Sequence, residues 1–149
     1  MSRNYTVRTK IERPVSEVFN AIVSRDILKR YFTDDSSGDL EAGQRIVWNF
    51  HEHGEYPVLV NLFEVNKLIG LALNAKDWTK TEDDSYDVQV RLEFEELEGN
   101  ATMLIISEQG WKSDEDGIEA SYENCSGWTH MAMCLKAYLE HGIDMRWND

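Results

Sequence analysis

NCSGWTHMAMCLKAYLEHGID, residues 124–144, decides the fold. On a helical wheel Trp128, Met131, Ala132, Leu135, Tyr138 and Leu139 form one stripe, while Thr129, Lys136 and Glu140 fall on or near the other side. His141 suits the negative end of a helix dipole, and Gly142 is a good C-terminal stop. This is an amphipathic helix with a wide apolar face, and such a face needs an apolar partner of similar size.

The sequence ahead of it supplies a sheet. SYDVQVRLEFEE puts Val88, Val90, Leu92 and Phe94 on one side and Gln89, Arg91, Glu93 and Glu95 on the other, the pattern of an antiparallel strand with one wet face. Gly99 and Asn100 in LEGN tolerate positive φ and predict a hairpin. ATMLIISEQGW follows, with Thr102, Leu104, Ile106 and Glu108 on one face. Further back, RIVWNFHEH aligns Ile46, Trp48 and Phe50; HGEYP reads as a turn. YPVLVNLFEVNK aligns Val58, Val60 and Leu62 against Leu59, Phe63 and Val65. IGLALNAKDW reads as one more strand, with Ile69, Leu71 and Leu73 together, and KTEDDS as a turn.

The chain opens with a weakly alternating strand, Tyr5, Val7, Thr9 and Ile11, and Pro14 then starts a helix. Val15, Val18, Phe19, Ile22 and Val23 keep helical spacing; SRDILKRYF reads as a second short helix capped by Ser24 or Asp26. TDDSSGDLEAG is a polar loop, and Ser113 begins a polar segment with Asp114 and Asp116 in helix-start positions. No repeat or linker interrupts this order, so residues 1–149 are expected to form one domain.

Charge narrows the partners. With 15 basic and 28 acidic residues the formal charge is −13, which disfavours phosphate backbones and anionic membranes. The segment Thr81–Ala120 carries 13 acidic and 2 basic residues, whereas Met1–Tyr31 carries 7 basic and 3 acidic. A solubilising rim accounts for this unevenness; an acidic docking face is the other reading. Cys125 and Cys134, if on one helix, lie about 13 Å apart, too far for a disulfide. Reduced thiols, the absence of a signal-like start and the absence of a long apolar run lead us to expect a cytosolic protein without a membrane span.

The order of strand, two short helices, antiparallel strands and long final helix resembles the Bet v 1-like, START-like (SRPBCC) helix-grip superfamily. IERPVSEVFNAIVSRDILKRYFT, LEAGQRIVW, EQGWKSDEDG and GWTHMAMCLKAYLEHG are similar, in that order, to the branch named after the activator of Hsp90 ATPase. The resemblance implies an α+β fold: a curved antiparallel sheet of about seven strands wrapped around the last helix, often enclosing an apolar cavity. It also implies that Gly127 and Trp128 start the final helix. Relatives include lipid and hormone carriers, polyketide aromatase/cyclases and the Hsp90 activator domain, so fold alone does not choose a function. The chain reads as a stand-alone domain, without the additional N-terminal domain of the eukaryotic Hsp90 activator.

Motifs for phosphate, dinucleotide, serine-hydrolase, zinc-protease and C-x-x-C redox chemistry are absent from the sequence. His51 and His53 share a strand face but lack an obvious third ligand, so no metal site and no cofactor are expected. Glu108 and Glu64 lie in phase with apolar neighbours. Each either projects toward a cavity mouth, where desolvation would raise its pKa, or sits at the sheet rim. Trp48, Trp78, Trp111 and Trp128 either pack the core or wall an aromatic pocket. His130 and Cys134 are spaced as a nucleophile pair, but without an orienting third group an inert thiol is the plainer reading.

The resulting expectation is non-catalytic binding of a small apolar or aromatic ligand between sheet and helix. Trp48, Phe50, Leu62, Trp78, Leu92, Leu104, Ile106, Glu108, Trp111, Trp128, Met131 and Leu135 are the expected lining. An Hsp90-type chaperone partner is one alternative. A cyclase or hydrolase using Glu64, Glu108, His130 or Tyr138 is another. The expected state is a monomer or a weak homodimer.

Overall fold

The computed structural model describes residues 3–51, 54–78 and 86–146. KTEDDS and His53 lie outside these residues. Strand β1 (Arg3–Ile11) leads through Pro14, at the N-cap, into α1 (Val15–Val23). Ser24 ends α1 and caps α2 (Arg25–Leu28), its Oγ accepting from the Ile27 N–H at 3.4 Å. Then come β2 (Asp35–Ser36), β3 (Arg45–Phe50), β4 (Gly54–Glu64), β5 (Leu68–Asn74), α3 (Ala75–Trp78), β6 (Asp87–Leu97), β7 (Ala101–Gln109) and α4 (Glu115–His141).

Among the described residues seven strands form one antiparallel sheet in the order β1-β7-β6-β5-β4-β3-β2. Alternation works as expected where it is cleanest: Val88, Val90, Leu92 and Phe94 are buried, as are Leu104 and Ile106 beside them. Gly99 and Asn100 both take positive φ in the β6–β7 hairpin. The inner sheet face joins Val18, Phe19 and Ile22 of α1 and Trp128, Met131 and Leu135 of α4 in one core. Burying such side chains stabilises by roughly 1.5–3 kcal/mol each, and this is what holds helix and sheet together.

Four local readings change. The final helix does not begin at Gly127-Trp128. It runs for 27 residues, Glu115–His141, between the cap Asp114, whose carboxylate accepts from the Gly117 N–H at 2.8 Å, and the cap Gly142 in the left-handed region. The polar loop contains β2, because Asp35 and Ser36 pair with Asn49 and Trp48. HGEYP is not a turn throughout, since β4 begins at Gly54 and Tyr56 pairs with Trp48. IGLALNAKDW breaks after Asn74, whose side-chain oxygen accepts from the Lys76 N–H at 3.0 Å and turns the chain into α3.

Leu62 is placed on the opposite face from the one its spacing predicts. The β4–β5 register slips between Val60 and Leu62, so Leu62 pairs with Gly70 and Phe63 with Ile69. One extra residue in a strand reverses the parity of everything after it. Leu62 therefore points outward, 41% exposed, while Phe63 turns inward to meet Phe19 edge-on at 5.5 Å. Leu62 covers Gly70, where an added Cβ would lie 2.7 Å from the Leu62 Cβ.

Candidate functional site

Glu108 is the organising residue. Its carboxylate ends the inward-facing row of β7 and is 1% exposed, so it is neither at a rim nor paired with arginine. Gly110 follows with φ +107°, a conformation open to glycine, and Trp111 lies next to it. The Trp111 indole N–H donates to Glu108 Oε1 at 2.7 Å. From α4, Trp128 Nε1 donates to Oε2 at 2.8 Å and Asn124 Nδ2 donates to the same oxygen at 3.1 Å. Asn124 and Trp128 are four residues apart and so share one helix face. Burial pushes the Glu108 pKa above the ordinary carboxylate range, and the Trp111, Trp128 and Asn124 hydrogen bonds oppose that shift. Tyr5 stands opposite Glu108 across β1 and β7; its hydroxyl is buried and falls short of hydrogen-bond geometry. Burial, and then the nearby Glu108 charge, push the Tyr5 pKa strongly upward.

Trp128 and Asn124 also wall a pocket of about 370 Å³ between α4, α3 and the β3–β4 end of the sheet. Phe32, Phe50, Tyr56, Trp78, Glu123 and Gly127 complete the wall. Trp78 reaches it because α3 turns the chain there, and its indole N–H donates to the Pro57 carbonyl at 3.4 Å. The rings touch in succession, with Phe32–Phe50 centroids 5.1 Å apart, Phe50–Tyr56 5.6 Å and Tyr56–Trp78 4.7 Å. Trp78–Trp128 at 6.5 Å, nearly parallel, and Phe32–Trp128 at 6.1 Å close the circuit.

Of the residues expected to line a cavity, Phe50, Trp78 and Trp128 meet at this pocket, and Glu108 braces it from behind. Trp48, Leu92, Leu104, Ile106, Trp111, Met131 and Leu135 lie in the packed core between sheet and helix. Trp48 touches Trp128 edge-on at 6.1 Å, and its indole N–H is buried without a hydrogen-bond partner. Leu62 lies on the outer sheet surface, away from either. Phe32, Tyr56, Glu123 and Asn124 were not foreseen. Tyr56 fell in a stretch read as a turn, and Phe32 in a short helix whose outer end has no clear periodicity.

The candidate acid/base groups do not converge. Glu64 is exposed, Glu108 is enclosed by donors, and Tyr138 accepts from Arg30 Nη1 at 3.0 Å in a separate groove. Cys134 Sγ lies 3.5 Å from His130 Nε2, but burial raises the thiol pKa, the opposite of an activated nucleophile. Among the described residues no three His, Cys, Asp or Glu side chains gather as a metal site.

A polar groove of about 530 Å³ lies at the C-terminal end of α4, lined by Arg13, Glu17, Arg30, Tyr138 and Glu140 among others. On the outer face of α4, Ile118, Tyr122 and Met133 are exposed, with Met145 of the following segment. Among the described residues no helix is long and apolar enough to cross a membrane.

Known proteins place the fold. A structure of SSP2350 from Staphylococcus saprophyticus is 26% identical, with a TM-score of 0.75 over 97% of this chain and 98% of that one. The Aha1 dimer from Colwellia psychrerythraea is 21% identical, with a TM-score of 0.77 over 95% and 98% of the two chains. DynU16, a putative protein in the dynemicin biosynthetic locus, is 18% identical, with a TM-score of 0.78 over 95% of this chain and 49% of that one. No curated protein sequence matches the chain. The family model described as activator of Hsp90 ATPase homolog 1-like protein matches residues 12–140, and the chain belongs to that family.

Proposed function

We propose that this protein binds a small apolar or aromatic ligand, without chemical conversion, in the pocket walled by Phe32, Phe50, Tyr56, Trp78 and Trp128. One observation carries the reading. Rings from separate strands, two helices and a loop converge on an open concavity whose polar backing is already satisfied by Glu108. Rings that served core packing alone would close on one another. Here they leave about 370 Å³ open, room for a small ligand. The role proposed with it is that of a carrier, stress-related or otherwise, in the cytosol, as a monomer or weak homodimer.

Native mass spectrometry of freshly purified protein, with mass analysis of its organic extract, tests the proposal. A stoichiometric small molecule displaced by Trp78→Ala supports it. Ligand-free protein, with no tryptophan fluorescence response to fatty acids, sterols or flavonoids, overturns it.

Family membership favours a second reading, a module that docks on an Hsp90-type chaperone. The exposed Ile118, Tyr122 and Met133 on α4 offer such a partner an apolar face. An unchanged ATPase rate of the cognate chaperone at saturating protein would eliminate it.

A further inference from the structure

The closed aromatic circuit carries an inference about the ligand's charge, and it rests on the ligand-binding reading above. Successive ring centroids are between 4.7 and 6.5 Å apart around the five-membered circuit. In a flat, regular five-sided figure with edges of that size the centre lies about 5 Å from each corner, inside the ~6 Å reach of a cation–π attraction. From Phe32 to Phe50, Tyr56 and Trp78 the ring planes turn by 71°, 76° and 59° in succession, as the inward-facing walls of such a figure do, while Trp128 lies nearly parallel to Trp78. Ring faces are the negative side of the aromatic quadrupole, and tryptophan is the strongest partner for a cation; of the nearly parallel Trp78 and Trp128, one can present its face to the centre.

The polar lining points the same way. Glu123 is the charged side chain among the described lining residues, and no lysine, arginine or histidine joins it. Glu123 is exposed at the pocket edge, one residue from Asn124, which binds the buried Glu108. The formal charge of −13 adds a long-range attraction for positive ligands. A pocket for a neutral hydrocarbon needs no carboxylate at its edge, and an anionic ligand would meet repulsion from Glu123.

We propose that Phe32, Phe50, Tyr56, Trp78 and Trp128 form a cage for an organic cation, an alkylated ammonium carried on a small apolar or aromatic body, with Glu123 as its counter-charge. The aromatic walls hold the alkyl groups, and the carboxylate faces the ammonium from the open side. Such a cation is weakly hydrated, so it enters an apolar cage at less desolvation cost than a primary ammonium.

The test compares two probes of nearly equal shape. The full-length protein is titrated with 3-hydroxyphenyltrimethylammonium and with its neutral counterpart 3-tert-butylphenol, followed by calorimetry and tryptophan fluorescence. The cation is expected to bind about tenfold more tightly. Glu123→Gln is expected to weaken the cation about two- to fivefold and leave the phenol unchanged. Phe50→Leu keeps apolar volume, removes one ring and reduces the cation's advantage, with thermal melts confirming that both variants fold. Equal affinity, or a preference for the phenol, overturns the cage while leaving an apolar pocket. Failure of both probes, and of neutral ligands generally, overturns the cage and the ligand-binding reading together.

Discussion

The middle and the C-terminal end of α4 border two gaps in the molecule, and they are built on opposite principles. Around Trp128 the walls are aromatic rings, and the polar groups Glu108, Trp111 and Asn124 answer one another behind them. At the Tyr138 end the groove is lined by charged side chains that already hold each other. Arg13 donates to the Glu140 carbonyl at 3.2 Å, Arg30 donates to Tyr138, and Lys136 bridges Glu140 at 2.7 Å. One gap has its polar requirements met outside the cavity, leaving an apolar surface for a ligand. The other has them met across the cavity, leaving little unmet demand. Size does not separate them, since the polar groove is the larger; the disposition of donors and acceptors does.

The comparison breaks most sharply at Trp128. Trp128→Ala removes a buried ring and one of three donors to Glu108, and is expected to cost about 3–5 kcal/mol; urea unfolding measures it. Glu108→Gln places an amide donor against indole and amide donors, and is expected to cost about 1–3 kcal/mol. The same variant isolates a pH effect. Since the folded pKa of Glu108 is raised, the unfolded chain loses this proton first as pH rises. The site's contribution to stability therefore falls with rising pH, from the ordinary glutamate pKa up to the raised folded value. The stability difference between wild type and Glu108→Gln should narrow across that window, as urea unfolding from about pH 4 to pH 8 would show. A constant difference would mean that Glu108 titrates normally.

At the polar end the expected effects are smaller. Tyr138→Phe removes one exposed hydrogen bond with Arg30, and should leave both the melting temperature and ligand affinity at the aromatic end unchanged within error. Loss of ligand binding in this variant would move the site to the polar groove. Leu62→Ser is the baseline, expected within about 0.5 kcal/mol of wild type because Leu62 lies outside the sheet. A loss comparable to that of a buried leucine would restore Leu62 to the inner face.

Much of the scaffold was legible because period alone carries it. Val88 to Phe94 and Leu104 to Ile106 face inward as alternation demands, and Trp128, Met131 and Leu135 do so as helical spacing demands. Period failed where an extra residue entered a strand, at Leu62, since nothing local distinguishes a bulge from an unbroken run. The site was legible only in fragments. Phe50, Trp78 and Trp128 were foreseen singly, from being aromatic and near the core, but their meeting with Phe32 and Tyr56 was not.

The sequence by itself determined a sheet that must be covered and a helix that must cover it, and it put Glu108 in phase with Leu104 and Ile106 while leaving open whether the carboxylate lay inside or at the rim. These are one-dimensional properties, set by spacing along the chain and by the cost of exposing apolar surface. Tertiary structure alone decided what the carboxylate meets and which rings enclose space. Glu108 is tolerable in the core only because Trp111, three residues on, and Asn124 and Trp128, from the helix, converge on it. Phe32 and Trp128 lie 96 residues apart in sequence and 6.1 Å apart between ring centroids. Contacts of that range depend on where whole elements dock, and docking is a property of the assembled core rather than of any segment's own pattern.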